Sequence, residues 1–284
     1  MVLGIPVVDG HELTNAVLDS LAETITGDNF RIVIIDNGSD RDYSYLKGER
    51  VDVIRNKHNI GYYRPLQELY AKYPDEELIG LAHNDLVYYE KGWNGRMEHS
   101  FAMDEKLALV GLCGSNEIDG LGGRGGGTVC FFRGGEVKVG DRVIGGQSQA
   151  AGRRTIDLIP SACLDSLFMM FRRSAIPDLV TEADPWEHLT LAHFYDRIWP
   201  VRLVEKGWHV ATLGVECDHL GGMTTAGNMR YRNDCIAWLD ERGLPYEDPE
   251  TEMYLVAERR YLGEYRDAKH FIPMIVHGDY SVQH

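Results

Sequence analysis

Residues 30–36 read Phe-Arg-Ile-Val-Ile-Ile-Asp, an almost unbroken β-branched run that ends in a carboxylate. A strand with one wet face alternates apolar and polar residues. This run does not alternate, so it suits a strand covered on both faces. Such sheets arise where helices alternate with strands, and the flanking sequence alternates in that way. Val2 to Val8 reads as a strand, and Glu12 to Ile25 as a helix with Leu13, Val17 and Leu21 four residues apart. Val51 to Arg55 is a further short strand, Tyr63 to Tyr73 a helix and Glu77 to Ala82 strand-like. The expected class is α/β with a parallel sheet.

The middle of the chain changes character. Gly120 to Gly146 contains Gly-Leu-Gly-Gly-Arg-Gly-Gly-Gly and then glycines at 134, 135, 140, 145 and 146, a composition of loops and small hairpins. Regular pattern returns over Ile156 to Arg172. A helical repeat follows over Leu191 to Gly207, on Leu191, Phe194, Ile198 and Val201, and then a strand over Trp208 to Leu213. From Thr224 onward the sequence reads as mainly helical. The expected organisation is a core over 1–222, with 120–156 as a glycine-rich basic insertion, and a helical extension over 223–284.

Composition narrows the partners. The chain has 284 residues, 44% of them hydrophobic, enough to form a core without a disulfide or structural zinc. Its five cysteines include no Cys-x-x-Cys pair, which argues against a disulfide framework or zinc ribbon and fits a reducing compartment. No run approaches the ~18 apolar residues of a transmembrane helix, and the first residues lack a basic leader. A cytoplasmic protein without membrane attachment is expected. The formal charge of −15 repels nucleic acid at long range. Against that background, residues 120–156 hold Arg124, Arg133, Lys138, Arg142, Arg153 and Arg154 but only Glu136 and Asp141.

Five short segments carry possible chemistry. Asp36, in Ile-Ile-Asp-Asn-Gly-Ser, ends a strand where parallel sheets open into a ligand crevice, although Asn-Gly is also a strong turn former. Asn59 and Gly61 follow the next strand, where Gly61 lets a backbone approach a ligand or simply precedes a helix. His83-Asn84-Asp85 ends a strand with an imidazole and a carboxylate on one side, a pair able to hold a divalent cation. Lone patterns of that kind are common. Asp196 precedes Pro200 and lies off the apolar face of its helix, facing solvent or a cleft; an acidic residue also suits a helix N-terminus. His219 stands between a strand and Gly221-Gly222 as a further potential ligand. Gly120-x-Gly122-x-x-Gly125 matches a dinucleotide fingerprint in spacing only, because strand-like Thr128-Val-Cys-Phe-Phe follows it and not a helix. His188 and His193 are five apart, so they form no metalloprotease pair.

The order of these segments is more specific than any one of them. Ile5-Pro6, then Ile-Ile-Asp-Asn-Gly-Ser, His-Asn-Ile-Gly-Tyr-Tyr, a strand ending His-Asn-Asp, Tyr195-Asp196 before a helix closing Glu205-Lys-Gly-Trp, and a lone His before Gly-Gly: this succession resembles the GT-A glycosyltransferases of family 2. The likeness spans about Val2 to Gly222 and is strongest to short members carried by bacteriophages and actinobacteria. It implies a Rossmann-like, mixed and mostly parallel sheet with flanking helices. It implies that Pro6, Asp36, Asn59, Gly61 and Asn84 lie along a nucleotide-sugar, UDP-sugar foremost. It implies that His83, Asp85 and His219 hold Mn2+ or Mg2+, that Asp196 is the catalytic base of an inverting transfer, and that Asp165 lies near the acceptor. Two positions depart from the family pattern: His83 stands where an acid is usual, and Tyr195 where a Glu is usual.

The resemblance implies that the basic segment falls on the side of the fold that builds the acceptor site. Arg124, Arg153 and Arg154 there suit a polyanion, and the phage-like resemblance points to a hydroxymethylated base in DNA, flipped from the stack. A protein or glycan hydroxyl is the alternative acceptor. A non-catalytic nucleotide-sugar or carbohydrate binder is a different class, and a nicotinamide oxidoreductase a third.

Overall fold

The computed structural model describes residues 1–57, 63–116, 127–146, 152–179, 195–220 and 240. The expected segments at Asn59 and Gly61, Arg124, and the helical tail from Thr224 lie outside the described residues, Asp240 excepted.

The first elements follow the expected order, β1 (Val2–Val7), α1 (His11–Thr24), β2 (Arg31–Asp36), β3 (Val51–Arg55), α2 (Tyr63–Lys72) and β4 (Leu78–Ala82), and β5 (Leu86–Tyr88), α3 (Trp93–Met103) and β6 (Leu107–Gly111) come after them. Short strands follow: β7 (Cys113–Ser115), β8 (Thr128–Cys130), β9 (Glu136–Val139), β10 (Arg142–Gly145), β11 (Arg153–Arg154), β12 (Leu158–Pro160) and β13 (Cys163–Leu164). The last described elements are β14 (Phe168–Arg172), α4 (Tyr195–Glu205), β15 (His209–Leu213) and β16 (Cys217–His219).

Eight strands form the main sheet in the order β12-β15-β6-β14-β4-β1-β2-β3. The β3-β2-β1-β4 half is parallel throughout, as is β6-β15. β14 runs antiparallel between β4 and β6, and β12 runs antiparallel on the edge, so the sheet is mixed. Two apolar layers account for the uninterrupted apolar run over residues 32–35. Ile32 and Ile34 join Leu3, Ile5, Val17, Leu21, Trp93 and Met170 on one face. Val33 and Ile35 join Leu66, Leu69, Leu81, Met169 and Trp199 on the other. Alternate side chains point to opposite faces, so a strand buried on both sides must be apolar at every position.

Strand order positions the functional end. From β1 the chain steps outward to β2 and β3, then returns to β4 on the opposite side of β1. The loops after β1 and β4 thus diverge, and a crevice opens at their carboxyl ends, as at the switch point of any doubly wound sheet. Asp36, His83, Asn84 and Asp85 all leave strands at that edge. Asp9, just after β1, has φ 54°. Its backbone is held there by Ser39 Oγ, which accepts its N–H at 2.8 Å, and by Tyr43, whose hydroxyl donates to its carbonyl at 2.5 Å.

The glycine-rich region contains the expected hairpin, β9 with β10, and contributes β8 to a four-stranded sheet in the order β11-β8-β7-β13, whose other strands lie outside Gly120 to Gly146. The helix expected over Leu191 to Gly207 is described from Tyr195. Pro200 is its sixth described residue, where it withholds a donor from the helix ladder.

At the other edge of the sheet, Tyr73 donates from its hydroxyl to Asp52 Oδ2 at 2.7 Å, tying the end of α2 to β3, and Arg31 reaches the same oxygen at 3.3 Å. The Tyr73 hydrogen bond holds the Asp52 carboxyl below its ordinary value, against the opposing push of partial burial, with Arg31 assisting. That stabilisation is present above the unfolded carboxylate value of about 4 and is lost as pH falls through the lower folded value. Tyr73→Phe is expected to cost about 1–2 kcal/mol at pH 7. Urea unfolding at a series of pH values should show the gap to wild type closing below about pH 4.

Candidate active site

Three backbone registers assemble the site. β16 runs antiparallel to β5 with His219 opposite Leu86, and the Leu220 N–H donates to the Asp85 carbonyl at 2.9 Å. A residue 134 positions away is thereby fixed beside Asp85. The β14–β4 register pairs Phe168 with Ala82, and one step further the His83 N–H donates to the Leu167 carbonyl at 2.8 Å. This sets the turn 165–167 against His83. Finally, α4 starts beside β13 with Asp196 in its first turn, and Asp196 Oδ2 accepts the Ser166 N–H at 3.3 Å.

His83, Asp85 and His219 each offer a ligand atom within 4.8 Å of the others, the one such group among the described residues. Asp85 Oδ1 lies 3.7 Å from His83 Nδ1 and 3.3 Å from His219 Nε2. The first is too long for a hydrogen bond and the second is not aligned as one, so this buried oxygen has no well-placed donor. A buried carboxylate oxygen left without a donor is costly unless a cation completes it. Burial pushes the Asp85 carboxyl up, but the adjacent His219 and His83 outweigh it and hold it below its ordinary value. Burial pushes the His83 imidazole down, and His219 adds to this against the pull of Asp85 and Asp165. A low carboxyl and a low imidazole are the protonation states a metal requires, an ionised oxygen and a free nitrogen lone pair. The donor set of two imidazoles and one carboxylate fits a divalent transition-metal ion.

Asp196 is 4% exposed, so it faces inward and not to solvent. Its Oδ1 is 2.6 Å from Arg197 Nη1. Ser166 Oγ lies 3.4 Å from His83 Nε2, so Asp196, Ser166, His83, Asp85 and His219 form one continuous set of contacts. Asp165 sits at the start of the same turn, where its Oδ1 accepts the Leu167 N–H at 3.2 Å.

On the β2 side, both oxygens of buried Asp36 face local partners. Oδ1 accepts the Ser39 N–H at 2.8 Å, and Oδ2 lies 3.1 Å from Arg55. Asp36 leaves the sheet two strands from β4, a separation of about 10 Å at ordinary strand spacing. Pro6 pairs with Ile35 in β1, beyond the end of the β1–β4 ladder at Gly4. Asn84 Nδ2 donates to Thr14 Oγ1 at 3.2 Å, fastening the loop after β4 to α1. Arg153 and Arg154 are exposed on β11, with the Arg154 guanidinium 3.8 Å above the Phe131 ring. Other cations of the basic segment have acidic neighbours: Arg133 lies 3.7 Å from Glu216, and Arg142 lies 3.8 Å from Glu12.

Two residues were not singled out by sequence. Asp218 is fully buried beside His219 and accepts three donors: the Gly134 N–H at 2.6 Å, the Gly135 N–H at 3.2 Å and the Tyr89 hydroxyl at 3.1 Å. It anchors the β9–β10 hairpin to the ladder that carries His219. Gly134 holds φ 68°, a conformation that favours glycine, so the hairpin's composition has a local cause. An acid preceding a candidate histidine ligand was the available signal. Ser166 gave none, because a serine after an aspartate reads as turn chemistry.

No protein-family model matches the sequence, and no curated protein does either. Among solved structures the chain is similar to GalNAc-T7 with UDP, GalNAc and Mn2+, at a TM-score of 0.53 and 13% identity over 76% of this chain and 43% of that one. It is also similar to the mannosyltransferase PcManGT of Pyrobaculum calidifontis in complex with GDP-Man and Mn2+, at 0.49 and 11% over 92% and 69%. A third is S. aureus TarS 1-349 in complex with UDP, at 0.44 and 14% over 75% and 57%. The chain spans less than half the length of the GalNAc-T7 chain it matches. The first likeness establishes the architecture: the mixed, largely parallel sheet and its flanking helices form a GT-A fold.

Proposed function

We propose that this chain is an inverting glycosyltransferase that moves a sugar from a nucleotide-sugar to an acceptor hydroxyl. The observation that carries the reading is the contact set joining Asp196, through Ser166, to the His83–Asp85–His219 group at the crevice of the sheet. UDP, GalNAc and Mn2+ accompany the similar structure of GalNAc-T7, which supports a nucleotide, a sugar and a divalent ion as the classes of ligand here. His83 Nδ1, Asp85 Oδ1 and His219 Nε2 would hold the ion, which when bound supplies Lewis-acid neutralisation of the donor diphosphate. Pro6, Asp36 and Asn84, with Asn59 and Gly61, would line the nucleotide. Asp196 would accept the proton of the acceptor hydroxyl as its oxygen attacks the anomeric carbon from the face opposite the nucleotide, while the bond from that carbon to the diphosphate oxygen breaks and the nucleoside diphosphate leaves with the electron pair. Arg197, 2.6 Å away, aims the Asp196 carboxylate.

Asp196→Asn is expected to lower turnover by 10²–10⁴-fold while leaving donor binding within about threefold of wild type. Single-turnover kinetics together with donor titration check this, and wild-type turnover in both Asp196→Asn and Asp196→Ala removes Asp196 from the role. Chelation is expected to abolish transfer and donor hydrolysis alike, with Mn2+ restoring both. A chain that binds nucleotide-sugar and Mn2+ yet never turns over is a binder and not an enzyme.

For the acceptor we propose a hydroxymethylated base in DNA. Exposed Arg153 and Arg154, the latter over the Phe131 ring, support a polyanionic acceptor, and Asp165, at the turn next to His83, would lie near its hydroxyl. Affinity for such DNA should fall as salt rises, and Arg153→Ala combined with Arg154→Ala should flatten the slope by about two charges. Absence of binding at low salt, with transfer to a protein or glycan hydroxyl instead, overturns the DNA assignment and leaves the transfer chemistry standing.

A further inference from the structure

Ser166 stands where two separate functions of the site meet. It is 3% exposed, in the turn between β13 and β14. The Leu167 carbonyl holds the His83 backbone, so the turn cannot slide along the loop after β4 without losing that hydrogen bond. In this register the Ser166 hydroxyl reaches His83 and its main-chain N–H reaches Asp196.

The two nitrogens of His83 face different things. Nδ1 faces Asp85 Oδ1 at 3.7 Å, and Nε2 faces Ser166 Oγ at 3.4 Å. A neutral imidazole carries one proton, and the nitrogen that bears it cannot ligate. For Nδ1 to offer a lone pair beside Asp85, the proton must sit on Nε2. An acceptor opposite Nε2 favours that tautomer and fixes the plane of the ring, and outer partners of this kind are worth 10–100-fold in metal affinity. A serine hydroxyl can donate or accept, so the direction of this contact follows from which tautomer the site needs.

We propose that Ser166 is a positioning residue: its hydroxyl accepts the Nε2 proton of His83 and presents Nδ1 to the cation, while its main-chain N–H aims the carboxylate of Asp196. The assignment rests on the reading of His83 as a ligand and Asp196 as the base. It ties the geometry of the ion site to that of the base through one residue, so neither shifts without the other. The two contacts are separable by mutation, because a side-chain substitution removes the first and leaves the main-chain donor of the second.

The test is Mn2+ binding to the whole chain without donor, followed by electron paramagnetic resonance of the free ion. Ser166→Ala is expected to weaken Mn2+ 10- to 100-fold, with the metal-free melting temperature little changed. Ser166→Thr, which keeps the hydroxyl, should restore affinity to within about threefold of wild type. In a His83→Ala background, Ser166→Ala should have no further effect. Wild-type affinity in Ser166→Ala, or an equal loss with His83 already removed, overturns the proposal. Nitrogen NMR of histidine-labelled wild type needs no substitution in the protein studied: His83 protonated on Nε2 supports it, and on Nδ1 overturns it. A wild-type chain that binds no Mn2+ overturns the metal reading itself along with this proposal, whereas binding unaffected by Ser166→Ala overturns this proposal alone.

Discussion

The candidate site depends on one short ladder. β5 and β16 pair over three residues each, and that pairing alone sets His219 opposite Leu86 and next to Asp85. In an antiparallel ladder a slip of one residue turns every side chain to the other face. Such a slip would swap His219 with Asp218, removing a candidate ligand and exposing a carboxylate now satisfied by three donors. Asp218 therefore protects the register from within, because its hydrogen bonds to Gly134, Gly135 and Tyr89 form only when it points away from Asp85. The glycine hairpin and the loop that carries the candidate ligands share this one strand.

A rigid platform lies beneath that ladder. The main sheet is packed on both faces, and the antiparallel β14 locks β4 from one side while β1 locks it from the other. Trp93 sits at the junction, stacked on Tyr88 of β5 and edge-on to Phe30 and Phe168. Its ring carries the packing of β14 directly to β5, so the loop between β4 and β5 is held at both ends. Side chains at 83 and 85 gain their precision from these strands and not from the loop itself.

Legibility followed the range of the interaction. Helix α1 was readable from Leu13, Val17 and Leu21 because periodicity is local, and its observed bounds differ from the expected ones by one residue. The strand at 31–36 was readable for the same reason. Asp196 was read as lying off the apolar face, open to solvent or a cleft, but a wheel knows nothing of the turn at 165–167 that covers it. The glycine-rich region reads as loops and hairpins, and the β9–β10 hairpin is there, yet its β8 also joins β7, β11 and β13 in a sheet, because very short strands gain their stability from partners distant in sequence. Ser166 was invisible for a related reason: its neighbours are 83 and 30 residues away.

By itself the sequence determined a two-layered α/β core, the strands that end in His83, Asp85 and Asp36, and the residue types available for chemistry. Those follow from hydrophobic period and from side-chain acidity, both of which act within a few residues. Only the tertiary structure decided that His83, Asp85 and His219 share one point, that Asp196 is turned inward, and that Ser166 lies between them. These depend on strand order and register, which are set by hydrogen bonds between segments that the linear pattern does not relate.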